Sequence, residues 1–164
     1  MKRQTFKDLS LLASSASCLI QVGAQLFAIL VIVRTAVAAP PRSLAMYEGA
    51  YGYDSSIFWE SVPMVTLALL VVAIIANWKT TRRNLLLLSL ALFVTGSVVA
   101  GVVVEPGFDA FLAVGYRDAV DPSLQSRAVT LYKYDWGLWL ISLLAAMSQL
   151  FALARPSAYG QQMP

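Results

Sequence analysis

Four long apolar runs dominate the chain, and the short segments between them carry most of its charged residues. A helix needs about 20 consecutive, mostly apolar residues to cross a hydrocarbon core about 30 Å thick. The runs are continuous and lack the alternation of apolar and polar residues that is typical of transmembrane β-strands. The pattern therefore predicts four transmembrane helices, at about 11–33, 57–78, 85–104 and 132–153.

Prolines and glycines predict where two of these helices end. Pro40-Pro41 cannot continue the first helix, and Glu105-Pro106-Gly107 predicts the end of the third span. In the long segment that follows, apolar and aromatic residues recur at helical spacing: Phe108, Phe111, Leu112 and Tyr116. We expect a short interfacial helix there, which either caps the bundle or rests on the headgroups. The predicted fold is all-α, with residues 1–164 forming one four-helix transmembrane domain.

Composition excludes several other classes of protein. Apolar residues make up 59% of the chain and charged residues 13%, whereas an average soluble domain has about 25% charged residues. Such a composition suits neither a soluble fold of this size nor a disordered chain. There is no histidine, and the single cysteine, Cys18, allows no internal disulfide and no Cys-ligated cluster. The basic residues form no long run, so nucleic acid is not a predicted partner.

Charge in the loops predicts the orientation. Eight of the nine acidic residues fall on one side of the four predicted spans, and Asp8 is the exception. The opposite side carries the short basic turn from Lys79 to Arg83, and basic residues in short loops mark the cytoplasmic side. Lys2 and Arg3 before the first run resemble a signal peptide, but the run is too long for one, and we expect it to stay uncleaved. We therefore predict an integral protein of the bacterial inner (plasma) membrane with both termini cytoplasmic.

Polar residues follow one face of the first predicted helix. They are spaced by three, four and four residues, which places them on a single stripe: Ser14, Ser17, Gln21 and Gln25. In lipid, such side chains hydrogen-bond between helices. The stripe is therefore interpreted either as contacts inside the bundle or as the polar wall of a ligand cavity.

Charged and aromatic residues collect at the predicted outer ends of the helices. Arg34, Glu60, Glu105 and the pair Lys133 and Asp135 lie there with several tryptophans and tyrosines. Aromatic belts and snorkelling charges explain this pattern without a site. The functional interpretation is that some of these groups turn inward to line an outward-facing pocket.

The pocket interpretation has its own candidate residues. Glu60 lies near Pro63 at a helix start, where a partly desolvated carboxylate suits a general base. Arg34 could pair with it or stabilise an oxyanion, and Asp135 is the third catalytic candidate. A metal site made only of carboxylates is not favoured, because the sequence has no ExxH-type spacing. We therefore predict neither a metal nor a cofactor. The candidate substrate-binding residues are the aromatic ones at the same level: Trp59, Tyr132, Trp136 and Trp139.

Several short motifs resemble the anthrone-oxygenase-like family of small four-helix membrane proteins, and the resemblance covers about residues 20–153. These motifs are Ala45-Met46-Tyr47-Glu48-Gly49-Ala50-Tyr51-Gly52-Tyr53-Asp54 with Phe58-Trp59, Asn77-Trp78-Lys79 with Arg82-Arg83-Asn84, and Val120-Asp121-Pro122-Ser123-Leu124. The resemblance implies either no assigned activity or cofactor-free oxidation of anthrones to anthraquinones. Where the family is expected to carry an arginine near the start of the last span, this chain has Asp135-Trp136-Gly137-Leu138-Trp139.

Three functions remain open at this point. The first is a non-catalytic subunit or accessory protein that packs with other membrane proteins, since the chain has no soluble domain. The second is a cofactor-independent enzyme acting on a lipophilic aromatic or quinone-like small molecule. The third is a transporter, which the lack of an inverted repeat and of mid-membrane charge disfavours. The predicted partners are the lipid bilayer, other membrane subunits and a lipophilic small molecule.

Overall fold

The computed structural model describes residues 2–156, and side chains from residue 4 onward. Residue 1 and residues 157–164 of the predicted domain lie outside this range. Within it no β-strand forms, and Pro41 and Val120 make an isolated antiparallel bridge. The α-helices are α1 (Lys2–Phe27), α2 (Arg34–Ala36), α3 (Ser56–Asn77), α4 (Arg83–Val99), α5 (Glu105–Leu112) and α6 (Pro122–Ala154).

Four continuous helical stretches are long and apolar enough to cross a membrane. They are Gln4–Ala36, Ser56–Asn77, Arg83–Leu112 and Pro122–Ala154. The first joins α1 to α2 through the π-helical segment Ala28–Val33, and the third joins α4 to α5 through a second one, Ala100–Val104. The predicted all-α bundle of four transmembrane helices is confirmed, and the chain is an integral membrane protein.

The four long helices form a ring. α1 packs against α3 and α6, and α4 packs against α6, whereas α3 and α4 pack together only sparsely although a short turn joins them. The end of the bundle that holds this turn, the start of α1 and the end of α6 is called the terminal end. The opposite end, which holds α5 and the 3-10 helix Arg42–Tyr47, is called the loop end.

The terminal-end half of the bundle is closely packed. Its buried cluster consists of Leu11, Leu70, Ile74, Leu86 and Ala152. The hydroxyl of Ser14 donates to Gln149 Oε1 (2.8 Å), and Gln149 Nε2 donates to Ser89 Oγ (2.9 Å), which links α1, α6 and α4. Ser17 Oγ lies 2.8 Å from Thr66 Oγ1 of α3. Two residues of the polar stripe therefore hold helices together, as one of its two interpretations predicted.

The turn between α3 and α4 closes the terminal end. Buried Arg82 forms an ion pair with Asp8 of α1, and its Nε donates to the carbonyl of Arg155 (2.9 Å). The amide of Asn77 donates to the carbonyl of Lys7 (3.3 Å). The basic turn that indicated the orientation thus also ties three helices together.

At the loop end the structure differs from the predicted element boundaries. The helix does not end at Glu105-Pro106-Gly107, because these residues form the first turn of α5. Pro106 stands at the first positions of α5, directly after the π-helical segment, and proline is tolerated at such positions because no hydrogen bond from its nitrogen is needed there. α5 ends at Leu112, and Tyr116 lies beyond it.

α5 caps the bundle. Phe111 is buried in a second cluster, together with Ala36, Val37, Leu44, Leu124 and Ala128. Leu124 and Ala128 of this cluster belong to the first turns of α6. The helix begins at Pro122, whereas the sequence predicted a start at about residue 132. Asp121 allows this early start, since its Oδ1 accepts hydrogen bonds from the backbone N–H groups of Ser123 (2.8 Å) and Leu124 (3.2 Å).

Candidate functional site

The loop-end half of the bundle opens into a cavity of about 670 Å³, called here the loop-end cavity. All four membrane-spanning stretches contribute to its wall. Its apolar lining includes Ile29, Ile32, Phe93, Ala100 and Leu138, and α5 with the loop before α3 lines its mouth. The volume falls within the range of about 300–1,000 Å³ typical of sites for small molecules.

The charged lining of this cavity has a single sign. Five carboxylates line it, and neither lysine nor arginine is among its lining residues: the acids are Asp54, Glu60, Glu105, Asp109 and Asp135. In the described part of the chain the ion pairs are Arg42–Asp118 (3.3 Å) and Arg82–Asp8, and both lie elsewhere. The cavity therefore attracts positive charge.

The second half of the polar stripe on α1 faces this cavity. Gln21 and Gln25 both line it, and their Oε1 atoms are buried without a hydrogen-bond partner among the described residues. A buried acceptor without a partner costs free energy, roughly 1–3 kcal/mol. Neither oxygen has exposed surface, so a ligand in the cavity can donate a hydrogen bond to it only after the amide turns.

Aromatic side chains stand at the mouth. Tyr47 and Tyr53 meet edge to face with ring centroids 5.9 Å apart, and Trp59 meets Phe58 in the same way at 4.9 Å. Burial, and then the neighbouring Tyr53, raise the pKa of Tyr47, so its phenol stays neutral at pH 7. Hydrogen bonds from Ser56 lower the pKa of Asp54, so this carboxylate stays charged.

Irregular backbone surrounds the cavity. Residues of both π-helical segments, Ala28–Val33 and Ala100–Val104, line its wall, and so does Pro63 inside α3. π-Helical turns are rare and occur frequently at functional sites. No pattern in the sequence predicts the first segment.

Three of the predicted site residues line the cavity. Glu60, Asp135 and Trp59 come together there, from α3 and α6. Arg34 does not line it and is exposed, because it begins α2 just after a π-helical turn, which changes the face that the following residues present. Lys133 is likewise exposed and outside the lining.

The remaining predicted aromatic residues lie outside the cavity lining. Tyr132, Trp136 and Trp139 form a ladder along α6, with successive centroid distances of 6.3 and 5.7 Å. Trp139 packs against the buried cluster of Cys18, Val22 and Ala146. Their placement is that of packing residues, and their predicted role in binding remains a prediction.

Sequence reasoning missed most of the cavity mouth. Asp54, Asp109, Tyr47 and Tyr53 were not among the candidates, although Asp54 and both tyrosines lie in a loop motif that the family resemblance uses. No group of three or more Asp, Glu or Cys side chains in residues 2–156 is close enough to hold one metal ion. The carboxylates are thus spread around the wall.

No protein-family model, no curated protein and no solved structure matches this chain. The chemistry of the site is therefore argued from its geometry. Apolar walls, unpaired acceptors and carboxylates without counter-cations can hold an amphiphilic small molecule, and Glu60 and Asp135 can also accept a proton from it.

Proposed function

We propose that this protein is an integral membrane protein that binds a lipophilic small molecule in the loop-end cavity. The observation that carries the proposal is the cavity of about 670 Å³ to which all four helices contribute apolar walls together with carboxylates and unpaired amide oxygens. Asp135 is half-buried within α6, and ionisable residues inside a membrane protein tend to serve a site, since their desolvation is costly.

The sparse packing of α3 against α4 supports entry from the lipid. Both helices line the cavity, and their lining residues Glu60 and Ser97 are exposed on the bundle. A lipophilic ligand concentrates in the bilayer, so a lateral opening gives it a direct route. We propose that it enters between these two helices.

Blocking the cavity tests the proposal. Ser97→Trp introduces an indole into the lining, and Thr95→Trp is the matched control, because Thr95 is exposed on α4 outside the lining. The probe is 1-naphthalenemethanol, and binding to the detergent-purified protein is measured by equilibrium dialysis against empty micelles. Saturable binding that Ser97→Trp removes and Thr95→Trp keeps is expected. Equal binding by both variants would contradict the proposal.

The orientation belongs to the same proposal: both termini face the cytoplasm of a bacterial inner membrane, and the cavity opens on the outer side. The basic turn near Lys79 supports it. Single cysteines at Ser43 and Thr81, in a chain whose buried Cys18 is replaced by alanine, should react with an impermeant maleimide from opposite sides. Labelling from the same side would refute this topology.

A cofactor-independent enzyme is the second candidate, and one observation favours it: Glu60 and Asp135 line the same cavity. With an anthrone, a carboxylate would remove the carbon-bound proton, the carbanion would react with O₂, and loss of water would leave the anthraquinone. The other carboxylates would surround that carbanion without a lining cation, so the charges favour binding over this reaction. Anthrone consumption that Glu60→Gln abolishes would favour the enzyme.

The non-catalytic interpretation includes a role as a subunit of a larger assembly. Large apolar side chains are exposed along all four membrane-spanning stretches, and they suit lipid or another membrane helix. Purification from the native membrane in a mild detergent distinguishes the two environments. A stoichiometric partner would support the subunit, and a folded monomer would contradict an obligate one.

A further inference from the structure

We propose that the ligand of the loop-end cavity is a lipophilic organic cation, in which an ammonium group is attached to an apolar group about as large as an aromatic ring system. This inference rests on the proposed binding function and adds the charge class of the ligand. It joins three features of the cavity wall: its carboxylates, its unpaired acceptors and its aromatic rings.

The carboxylates have no counter-cation in the protein. Glu60, Glu105, Asp109 and Asp135 make neither an ion pair nor a side-chain hydrogen bond with any residue that the structure describes. Glu60, Glu105 and Asp109 are exposed and Asp135 is half-buried, and with no cation among the lining residues their like charges repel one another across the cavity. A bound cation relieves that repulsion.

The basic residues of the same end are directed elsewhere. Arg42 pairs with Asp118 at 3.3 Å, and the others are exposed and absent from the cavity lining: Arg34, Arg117, Arg127 and Lys133. The four carboxylates come from α3, α5 and α6, and this spread over three helices fits a cation whose charge sits on a larger body.

Two side-chain amides also belong to the cavity wall. Gln21 and Gln25 line the cavity, and their Oε1 atoms are buried without a partner among the described residues. Rotation of these amides would present the oxygens to a ligand, and an ammonium group, which is a donor with no acceptor of its own, would complement them, whereas a carboxylate or phosphate would not.

The aromatic rings at the mouth complete the argument. Tyr47, Tyr53 and Trp59 line the same cavity as the carboxylates. The face of a tyrosine or tryptophan ring attracts a cation within about 6 Å, and this attraction grows when the cation is desolvated. Apolar residues such as Phe93 and Leu138 then contact the hydrocarbon body.

The test compares three probes that share one ring system and differ in charge: 1-naphthylmethylammonium, 1-naphthalenemethanol and 1-naphthoate. Their dissociation constants are measured at pH 7 by equilibrium dialysis, with the protein in a neutral detergent and empty micelles as reference. The cation should bind about tenfold more tightly than the neutral alcohol, a difference of about 1.4 kcal/mol, and the anion more weakly than both.

Variants that each remove one carboxylate test whether the preference for the ammonium probe over the alcohol arises inside the cavity. Glu60→Gln and Asp135→Asn should each reduce the ratio of cation to alcohol affinity, and the double variant should reduce it further than either change alone. Asp118→Asn is the matched control, because Asp118 is an exposed acid of the same end outside the cavity. An equal loss in this control would overturn the inference, since the preference would then reflect overall charge.

The outcomes separate the two proposals. Equal affinity for the alcohol and the ammonium, or preference for naphthoate, overturns the cation inference and leaves the binding function standing. No saturable binding of any of the three probes overturns both. Preference for the ammonium that depends on Glu60 and Asp135 supports both.

Discussion

The two halves of the bundle use the same helices in opposite ways. In the terminal-end half, Ser14 and Ser17 of α1 find partners on α6 and α3, and the space between helices is filled. One and two turns further along the same face, Gln21 and Gln25 have no partner for their Oε1 atoms and line a cavity. A single polar stripe thus joins helices at one end and lines a cavity at the other.

The backbone differs in the same way. The terminal-end half is regular α-helix, whereas the loop-end half contains both π-helical segments, Ala28–Val33 and Ala100–Val104. Regular helices keep their side chains in register for close packing. Each π-helical turn shifts that register, and the cavity occupies the space where the helices no longer interdigitate.

The largest expected effect is a difference in the free energy of unfolding between two isoleucine variants, one from each half of the bundle. Ile74→Ala removes a buried side chain from the terminal-end cluster and should lower the free energy of unfolding by about 2–4 kcal/mol. Ile32→Ala removes one that already borders the cavity, and should cost about 1 kcal/mol or less, because fewer packing contacts are lost. Reversible unfolding in mixed detergent–SDS micelles measures both. Equal losses would show that the two halves are packed alike.

A matched pair of glutamines gives a smaller effect. Gln149→Leu removes the hydrogen bonds to Ser14 and Ser89 and should destabilise the protein by about 1–2 kcal/mol. Gln25→Leu should be neutral or stabilising, since its Oε1 is buried without a partner. The same unfolding assay applies. A loss for Gln25→Leu as large as that for Gln149→Leu would mean that its amide has a structural role.

The sequence predicts the terminal-end half far better than the loop-end half. Its elements follow from long apolar runs and from the break between Asn77 and Arg83, which are local signals. At the loop end, the early start of α6 depends on the cap from Asp121, and hydropathy does not detect a cap. The third helical stretch continues past Pro106 through a π-helical segment, and such segments have no reliable sequence pattern.

The cavity lining was predictable only where its residues lie at the ends of the predicted spans. Glu60 and Asp135 were found because topology places both near the same level, and Trp59 is next to Glu60. The same argument selected Arg34, which the structure places outside, because helix level says nothing about the direction of a side chain after a π-helical turn. Residues contributed by the loop, such as Asp54 and Tyr53, need the tertiary structure.

The smallest effect concerns the two helix starts. α6 begins at the loop end with a side-chain cap from Asp121, whereas α4 begins at the terminal end without one. Hydrogen bonds from Ser123 and Leu124 lower the pKa of Asp121 below 3.8 in the folded protein. The folded state therefore binds fewer protons than the unfolded state. The stabilisation from the cap is full above about pH 4 and is lost as the pH falls through the pKa of Asp121 in the folded protein.

The variant Asp121→Asn keeps a hydrogen-bond acceptor at the cap but removes this titration. Between about pH 6 and about pH 3, the natural protein should lose more stability than Asp121→Asn, and a parallel decline would show that other carboxylates control its acid sensitivity.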